Sequence, residues 1–398
     1  MNSPPLKVLQ VVHALGMGGA ETWLMEVLRL WHSQGVAAPQ MDFLATGGER
    51  GVFDDEALSL GARIHYLPYG KRYLKTFTSG YRQLLNKGAY DAIHDHQDYS
   101  SGWHFMLARR NLPPVCITHV HNPSYQIRNV YGVTLSRRIT ASIGKWMVRR
   151  YASHITGTSR QIITEHGFDE PQFQSLSRQA LHCGFEPNRF AGDPAVARQS
   201  ICAEFGWSDE VKILLFAGRT DKSPDLGHPQ NHKNSGFAVN LGIEAAKRDP
   251  SIRMVMCGAP SEATPILQAR IDESGHGGRI VMAGIRKDIE RFMLGSDLLL
   301  FPSRGEGLGM VAVEAQAAGL PVLASTAVPR ECLVVDGMVR FLEVSDGFGP
   351  WLRSINETFS SAHFDRRSCN ATVSASPFAI KNSARLLEEL YSSHSLLP

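Results

Sequence analysis

Short runs of aliphatic and β-branched residues alternate with helical periods along the whole chain. In the first half "KVLQVVH", "MDFLAT", "RIHYLP", "AIHDH", "VCITHV" and "HITGT" have the length and composition of strands. In the second half "KILLFAG", "IRMVMCG", "RIVMAG", "LLLFPS" and "PVLAS" do the same. Stretches such as "AETWLMEVLRLWHSQG" and "SGFAVNLGIEAAKRD" lie between them and repeat their apolar positions with a helical period. Strands that are apolar throughout and separated by helices predict parallel sheets covered on both faces. Eleven such strands exceed one ordinary sheet, so two α/β domains are expected. The change-over falls near "LHCGFEPNRFAGDP", which divides residues 1–185 from 186–375, and the tail "SPFAIKNSARLLEELYSS" predicts one last helix.

Composition narrows the class without naming it. A chain of 398 residues with 43% hydrophobic content can bury sizeable cores. A net charge of +3 gives no ground for a nucleic-acid partner. Six scattered cysteines without a C-x-x-C pair read as reduced thiols of a cytoplasmic protein. The start, "MNSPPLKVLQVV", has no signal-peptide pattern, and no apolar run is long enough to span a bilayer. The charge distribution adds more. No acidic residue stands between Asp98 and Glu165, an interval holding Arg109, Arg110, Arg128, Arg137, Arg138, Lys145, Arg149, Arg150 and Arg160. Its segment "VTLSRRITASIGKWMVRRYA" mixes these cations with apolar residues at helical spacing, as suits an anionic membrane surface or a phosphorylated partner. The plainer alternative is a solvated helix whose apolar stripe is core.

In doubly wound sheets ligands collect at the carboxyl ends of the strands, and the unusual residues fall there. After the first strand, "HALGMGGAETW" offers Gly16, Gly18 and Gly19 as a turn opening a helix, a natural anion site. Glu21 replaces the third glycine of a dinucleotide fingerprint, and Asp42 begins its strand, so a nicotinamide cofactor is not expected. In "IHDHQD", His94 and His96 share one face and suit either a metal or the lining of an acceptor site, with no further ligand recognisable. "CITHVHN" puts His119 and His121 on one face, His121 further out. Arg219 follows the first strand of the second half and Lys233 precedes a helix near Ser235; two such cations suit a diphosphate. In "FPSRGEGLGMVAVEAQAAGLPV", glycines keep Glu306 in a loop while Glu314 falls inside the helix that follows. The amides of Gly307, Leu308, Gly309 and Met310 open that helix towards an anion. Carboxylates for hydroxyls beside cations and amides for phosphate describe a nucleotide-sugar site. No D-x-D, H-E-x-x-H or G-K-[ST] occurs, so no divalent metal or resident cofactor is expected.

With these residues in place the chain resembles the family 4 retaining glycosyltransferases of the GT-B fold. The resemblance runs from "GGAETWLM" through "THVHN", "HCGFEPNRF", "NHKN" and "MAGIRKDI" to "FPSRGEGLGMVAVEAQAAGLPV", and is strongest to enzymes of exopolysaccharide and capsule assembly. It implies two Rossmann-like domains facing a cleft, with the last helix, within 376–398, crossing back to the first. It implies that His121 contacts the donor sugar, Arg219 and Lys233 hold the diphosphate, Glu306 the sugar hydroxyls and Glu314 the ribose. Gly284, Ile285 and Arg286 would read the base through their backbone, and Gly18 and Gly19 would lie near the phosphate and acceptor. It further implies a UDP-sugar donor, a glycan or polyprenyl-linked acceptor, and transfer with retention at the inner face of the membrane. Thirteen residues separate Arg219 from Lys233, a longer loop than many members carry. The rival readings are a GT-B nucleotide-sugar epimerase, a two-carboxylate glycosidase and a non-catalytic sugar-nucleotide binder.

Overall fold

The computed structural model describes residues 5–126, 134–225, 227–361 and 364–393. Its contacts divide the chain into two units, Met1–Phe185 with Pro377–Pro398, and Glu186–Ser376.

The first unit is built on seven parallel strands: β1 (Lys7–Val12), β2 (Gln40–Ala45), β3 (Ile64–Tyr66), β4 (Ala92–Asp95), β5 (Val115–Val120), β6 (His154–Gly157) and β7 (Ser177–Ala180). Their order in the sheet is β3-β2-β1-β4-β5-β6-β7. The strands near the middle are buried along most of their length, which is why they read as continuous apolar runs rather than alternating ones. Gln10, His94, Asp95, Thr118 and His119 are the polar exceptions in β1, β4 and β5, each fully buried within its strand. Helices α1 (Gly19–Gln34), α2 (Ser100–Ala108) and α3 (Leu135–Tyr151) belong to this unit. Helices α2 and α3 pack backbone to backbone, since a Cβ on Gly102 would stand 2.1 Å from the Gly144 carbonyl oxygen.

The second unit repeats the plan with β8 (Lys212–Ala217), β9 (Ile252–Cys257), β10 (Ile280–Gly284), β11 (Leu298–Phe301), β12 (Val322–Ser325) and β13 (Val339–Leu342). The order is β10-β9-β8-β11-β12-β13, all parallel. Helix α4 (Ser235–Arg248) leaves the β8 side and α5 (Met310–Ala317) follows β11. Leu214, Phe216, Phe237, Met254, Leu298 and Trp351 anchor the core on one face of the sheet. The last helix, α6 (Ile380–Ser392), is part of the first unit. Tyr391 and Leu387 are buried there, and Trp23 and Trp31 of α1 donate indole hydrogens to Ser383 and Glu388 of α6 at 2.8 Å each.

Both sheets reverse direction of growth once, between β1 and β4 and between β8 and β11. A crevice opens above such a switch point because the flanking connections leave on opposite faces. The site is therefore sought at the ends of these strands.

Candidate functional site

In the second unit, β8 ends at Ala217, and Gly218 and Arg219 follow. Arg219 is exposed. The long segment after it returns because Asp221 staples its two ends. The buried Asp221 carboxylate accepts from the backbone of His232, Lys233 and Ser235 at 2.7, 2.9 and 2.9 Å. A Cβ on Gly218 would lie 3.7 Å from the Lys233 side-chain carbons, so the extra loop length does not carry Lys233 away from the end of β8. Burial lowers the pKa of neighbouring His232, and Arg219 and Arg304 lower it further while Asp221 and Glu306 oppose them.

Strand β11, next to β8 in the sheet, delivers the other half. Glu306 follows it in a half-buried loop, and its Oε1 lies 2.7 Å from Lys233 Nζ. The cation expected on phosphate and the carboxylate expected on hydroxyls thus form an ion pair with each other. Gly309 then starts α5 in the left-handed region, φ 96°, and a Cβ there would stand 2.9 Å from both Phe301 and Val328. Only glycine meets both demands. Leu308 is buried beneath the turn and Met310 half-buried. Gln316 fixes the far end of α5: its amide nitrogen donates to Ala312 and Cys332, and its oxygen accepts from Val334 and Val335.

Glu314 sits on α5, half-buried, and no donor among the described residues reaches its carboxylate. Burial pushes its pKa up to about 7, against Arg189 and with Glu290. A half-buried carboxylate with a raised pKa and no protein donor is a common mark of a ligand site. At the end of β10, open space adjoins Gly284, and Ile285 beside it is exposed. The Arg286 guanidinium is committed elsewhere, to Glu204 at 2.9 Å and Asp288 at 3.0 Å. A ligand at this turn would meet its backbone. Beside β8 and β9, Gly258 lets two strand ends touch, since a Cβ there would stand 2.0 Å from the Gly218 carbonyl oxygen.

In the first unit, Gly18 is the N-cap of α1 and Gly19 its first residue. Glu21 folds back over them, its Oε2 2.2 Å from where a Gly18 Cβ would be, and burial raises its pKa. The Glu21 carboxylate thus lies against this turn. His121 follows β5; its backbone donates to Asp98 Oδ1 at 3.0 Å, and its ring stacks on His119 with centroids 4.0 Å apart. His94 and His96 do share a side, with centroids 4.2 Å apart, but His94 is wholly buried and His96 nearly so. Their expected place in the lining of an acceptor site is therefore corrected: they are core groups behind His121. His119 was not foreseen as their partner, yet the three rings bring nitrogens within 4.8 Å of one another, a spacing at which one ion could be shared. Both nitrogens of His94 and of His96 are instead engaged in hydrogen bonds. Asp42, set aside as a ribose ligand, bonds Arg63 at 2.6 Å and Tyr90 at 2.8 Å.

Helix α3 carries Arg137, Arg138, Lys145, Arg149 and Arg150 of the basic interval; Arg109, Arg110 and Arg160 stand outside the helix, and Arg128 lies outside the described residues. Its core face is Gly144, Met147 and Val148. The stripe of Leu135, Ile139, Ile143 and Trp146 is exposed, Trp146 by 57%, among Arg137, Arg138, Arg149 and Arg150. The alternative of a core stripe is thereby removed. Among the described residues no helix is long and apolar enough to cross a membrane.

Asp221, Gln10 and Tyr391 were missed. The detectable signal was Gln10, a polar residue in the midst of "KVLQVV".

Residues 18–170 match the glycosyl transferase 4-like domain and residues 212–346 the glycosyl transferases group 1, together well over half of the chain. A protein of Bacillus subtilis (strain 168) named as glycosyltransferase EpsF is 25% identical over 98% of this chain and 97% of its own. The crystal structure of Anabaena HepE in complex with UDP superposes with a TM-score of 0.74 at 16% identity, covering 98% of this chain and 99% of that one. WaaG, a glycosyltransferase involved in lipopolysaccharide biosynthesis, superposes with a TM-score of 0.61 at 15% identity, covering 97% and 96%. With two switch-point sheets of one plan and both family models matched in order, the chain belongs to the family 4 glycosyltransferases of the GT-B fold.

Proposed function

We propose that this glycosyltransferase moves a sugar with retention from a UDP-sugar to a glycan or polyprenyl-linked acceptor in cell-surface polysaccharide synthesis. The carrying observation is the meeting of Lys233 and Glu306 at 2.7 Å above the β8/β11 switch point, with Arg219 at the same strand end. Donor binding exchanges this internal pair for two external ones: Lys233 and Arg219 turn to the diphosphate, and Glu306 accepts from sugar hydroxyls. Glu314 takes its missing donors from the ribose diol, and the backbone of Gly284, Ile285 and Arg286 reads the base. The loop amides from Gly307 to Met310 face the phosphates, as the unfilled donors of a helix start do. HepE structures with UDP and with UDP-glucose support uridine as the nucleoside.

In the proposed step the acceptor hydroxyl oxygen bonds the anomeric carbon on the face from which the phosphate departs. The carbon–oxygen bond to the β-phosphate breaks with its electron pair, and the hydroxyl proton passes to that phosphate oxygen. Charge on the leaving group is met by Arg219, Lys233 and the amides rather than by a divalent metal. The first unit is the proposed acceptor side, with His121 towards the sugar and α3 towards an anionic membrane at its inner face.

Each charge-assisted bond contributes about 1.5–3 kcal/mol. The double variant Arg219→Ala/Lys233→Ala should lose roughly 10² to 10⁴ in kcat/KM, read as UDP release from UDP-sugars in the presence of lipid-linked acceptor. A double variant within about threefold of the parent would remove both cations from the mechanism. UDP release that needs no acceptor would instead favour an epimerase.

A further inference from the structure

The buried polar atoms around His121 form one continuous chain. His121 Nε2 lies 2.8 Å from His96 Nδ1, and His96 Nε2 lies 2.9 Å from Gln10 Oε1. Gln10 Nε2 lies 2.8 Å from the Tyr391 hydroxyl, which lies 2.8 Å from His94 Nδ1. His94 Nε2 then lies 3.0 Å from His119 Nδ1. Strands β1, β4 and β5 and helix α6 each contribute.

With the Gln10 amide oxygen towards His96, hydrogen counting gives the direction of every link. Burial among one another drives His94, His96 and His119 well below the ordinary imidazole pKa and takes His121 down to about 3, so all four rings are neutral. A neutral imidazole has one N–H and one bare nitrogen. The Gln10 oxygen can only accept, so His96 Nε2 carries hydrogen and His96 Nδ1 is bare. His121 must then donate from Nε2, which leaves its Nδ1 bare. On the other side the Gln10 amide donates to Tyr391, whose single hydrogen goes to His94 Nδ1. His94 donates in turn to His119, and the hydrogen of His119 sits on Nε2, a buried atom with no partner among the described residues. Rotating the Gln10 amide by half a turn would reverse all five links and place hydrogen on His121 Nδ1.

We propose that Gln10 and Tyr391 are positioning residues: through His96 they hold His121 as the tautomer with hydrogen on Nε2, so its free Nδ1 can only accept. That Nδ1 has no partner among the described residues, and His121 is the one ring of the four that is partly exposed. Such a nitrogen takes a hydrogen-bond donor, and a sugar hydroxyl is one. Its identity as a hydroxyl of the donor sugar rests on the function proposed above, whereas the tautomer does not. The last helix thereby acts on His121 through a chain of hydrogen bonds, beyond covering the sheet.

The test is long-range 1H–15N correlation on the ligand-free protein labelled at histidine, with the His121 signals assigned by their loss in His121→Asn. Ring-nitrogen shifts separate a bare from a protonated nitrogen. The expected result is hydrogen on Nε2 of His121 in the parent and averaged, mixed-tautomer shifts in Tyr391→Phe and in Gln10→Met. Hydrogen on Nδ1 in the parent, or a His121 pattern untouched by both substitutions, would overturn the inference. Neither measurement uses a nucleotide sugar, so failure here and failure of the donor-site reading are separate results.

Discussion

At the scale of single residues the decisive side chain is Glu314. Its carboxyl has a folded pKa raised from 4.5 to about 7, chiefly by burial. Between those values the folded chain holds a proton that the unfolded chain has lost, so this group makes stability fall as pH rises from about 4.5 to 7, and the penalty persists above. Such a cost without a partner is understandable where a ligand brings the missing donors. Glu314→Gln should therefore gain a few degrees in Tm over the parent at pH 8 and about nothing at pH 4.5. It should also bind UDP roughly tenfold more weakly, the loss of one charge-assisted bond. Thermal unfolding at both pH values with calorimetric UDP titration checks this, and an equal Tm difference at both pH values would contradict it. The sequence made this residue visible because a glutamate inside "MVAVEAQAA" has nowhere polar to go. It did not show that Lys233 and Glu306 meet, since they stand 73 positions apart and only the β8/β11 pairing joins their strand ends. Asp221 was illegible for a related reason: in "GRTDKSPDLG" it reads as one more loop acid, and its role depends on where the chain returns.

At the scale of elements, all eleven strands read from apolar runs occur in the two sheets. The two overlooked strands, β7 and β13, are the edge strands of their sheets. β7 is the polar run "SRQA", largely exposed, and β13 is buried at only one position, so neither carries the fully apolar signature of a central strand. Helix α3 shows the opposite case: its period was legible, but not which of its faces the core would take. Gly102 and Gly144 settle that by allowing close contact with α2, which leaves Leu135, Ile139, Ile143 and Trp146 outward among four arginines. Cations near an anionic surface contribute about 1 kcal/mol each, and the screening length at 0.1 M salt is about 10 Å. Vesicles containing phosphatidylglycerol should capture the protein at low salt in a sedimentation assay. Reversing Arg137, Arg138, Arg149 and Arg150 to glutamate should abolish capture. Equal sedimentation with purely phosphatidylcholine vesicles would remove the membrane from the account.

At the scale of the whole molecule, two units use one design: a parallel sheet with a single switch point and its unusual residues at the carboxyl ends of the strands. That much follows from the repeated pattern of strands and helices, and the family from the motifs set upon it. The network behind His121 did not follow, because it joins β1, β4, β5 and α6, segments up to 381 residues apart that share no local pattern. The central claim is that cations, loop amides and two carboxylates at the β8/β11 switch point form the donor site. It is tested most directly by a crystal structure of the protein with UDP. The account predicts pyrophosphate oxygens within about 2.7–3.2 Å of Arg219 and Lys233, and ribose hydroxyls on the Glu314 carboxylate. UDP bound away from these residues, with the Lys233–Glu306 pair still closed, would contradict it.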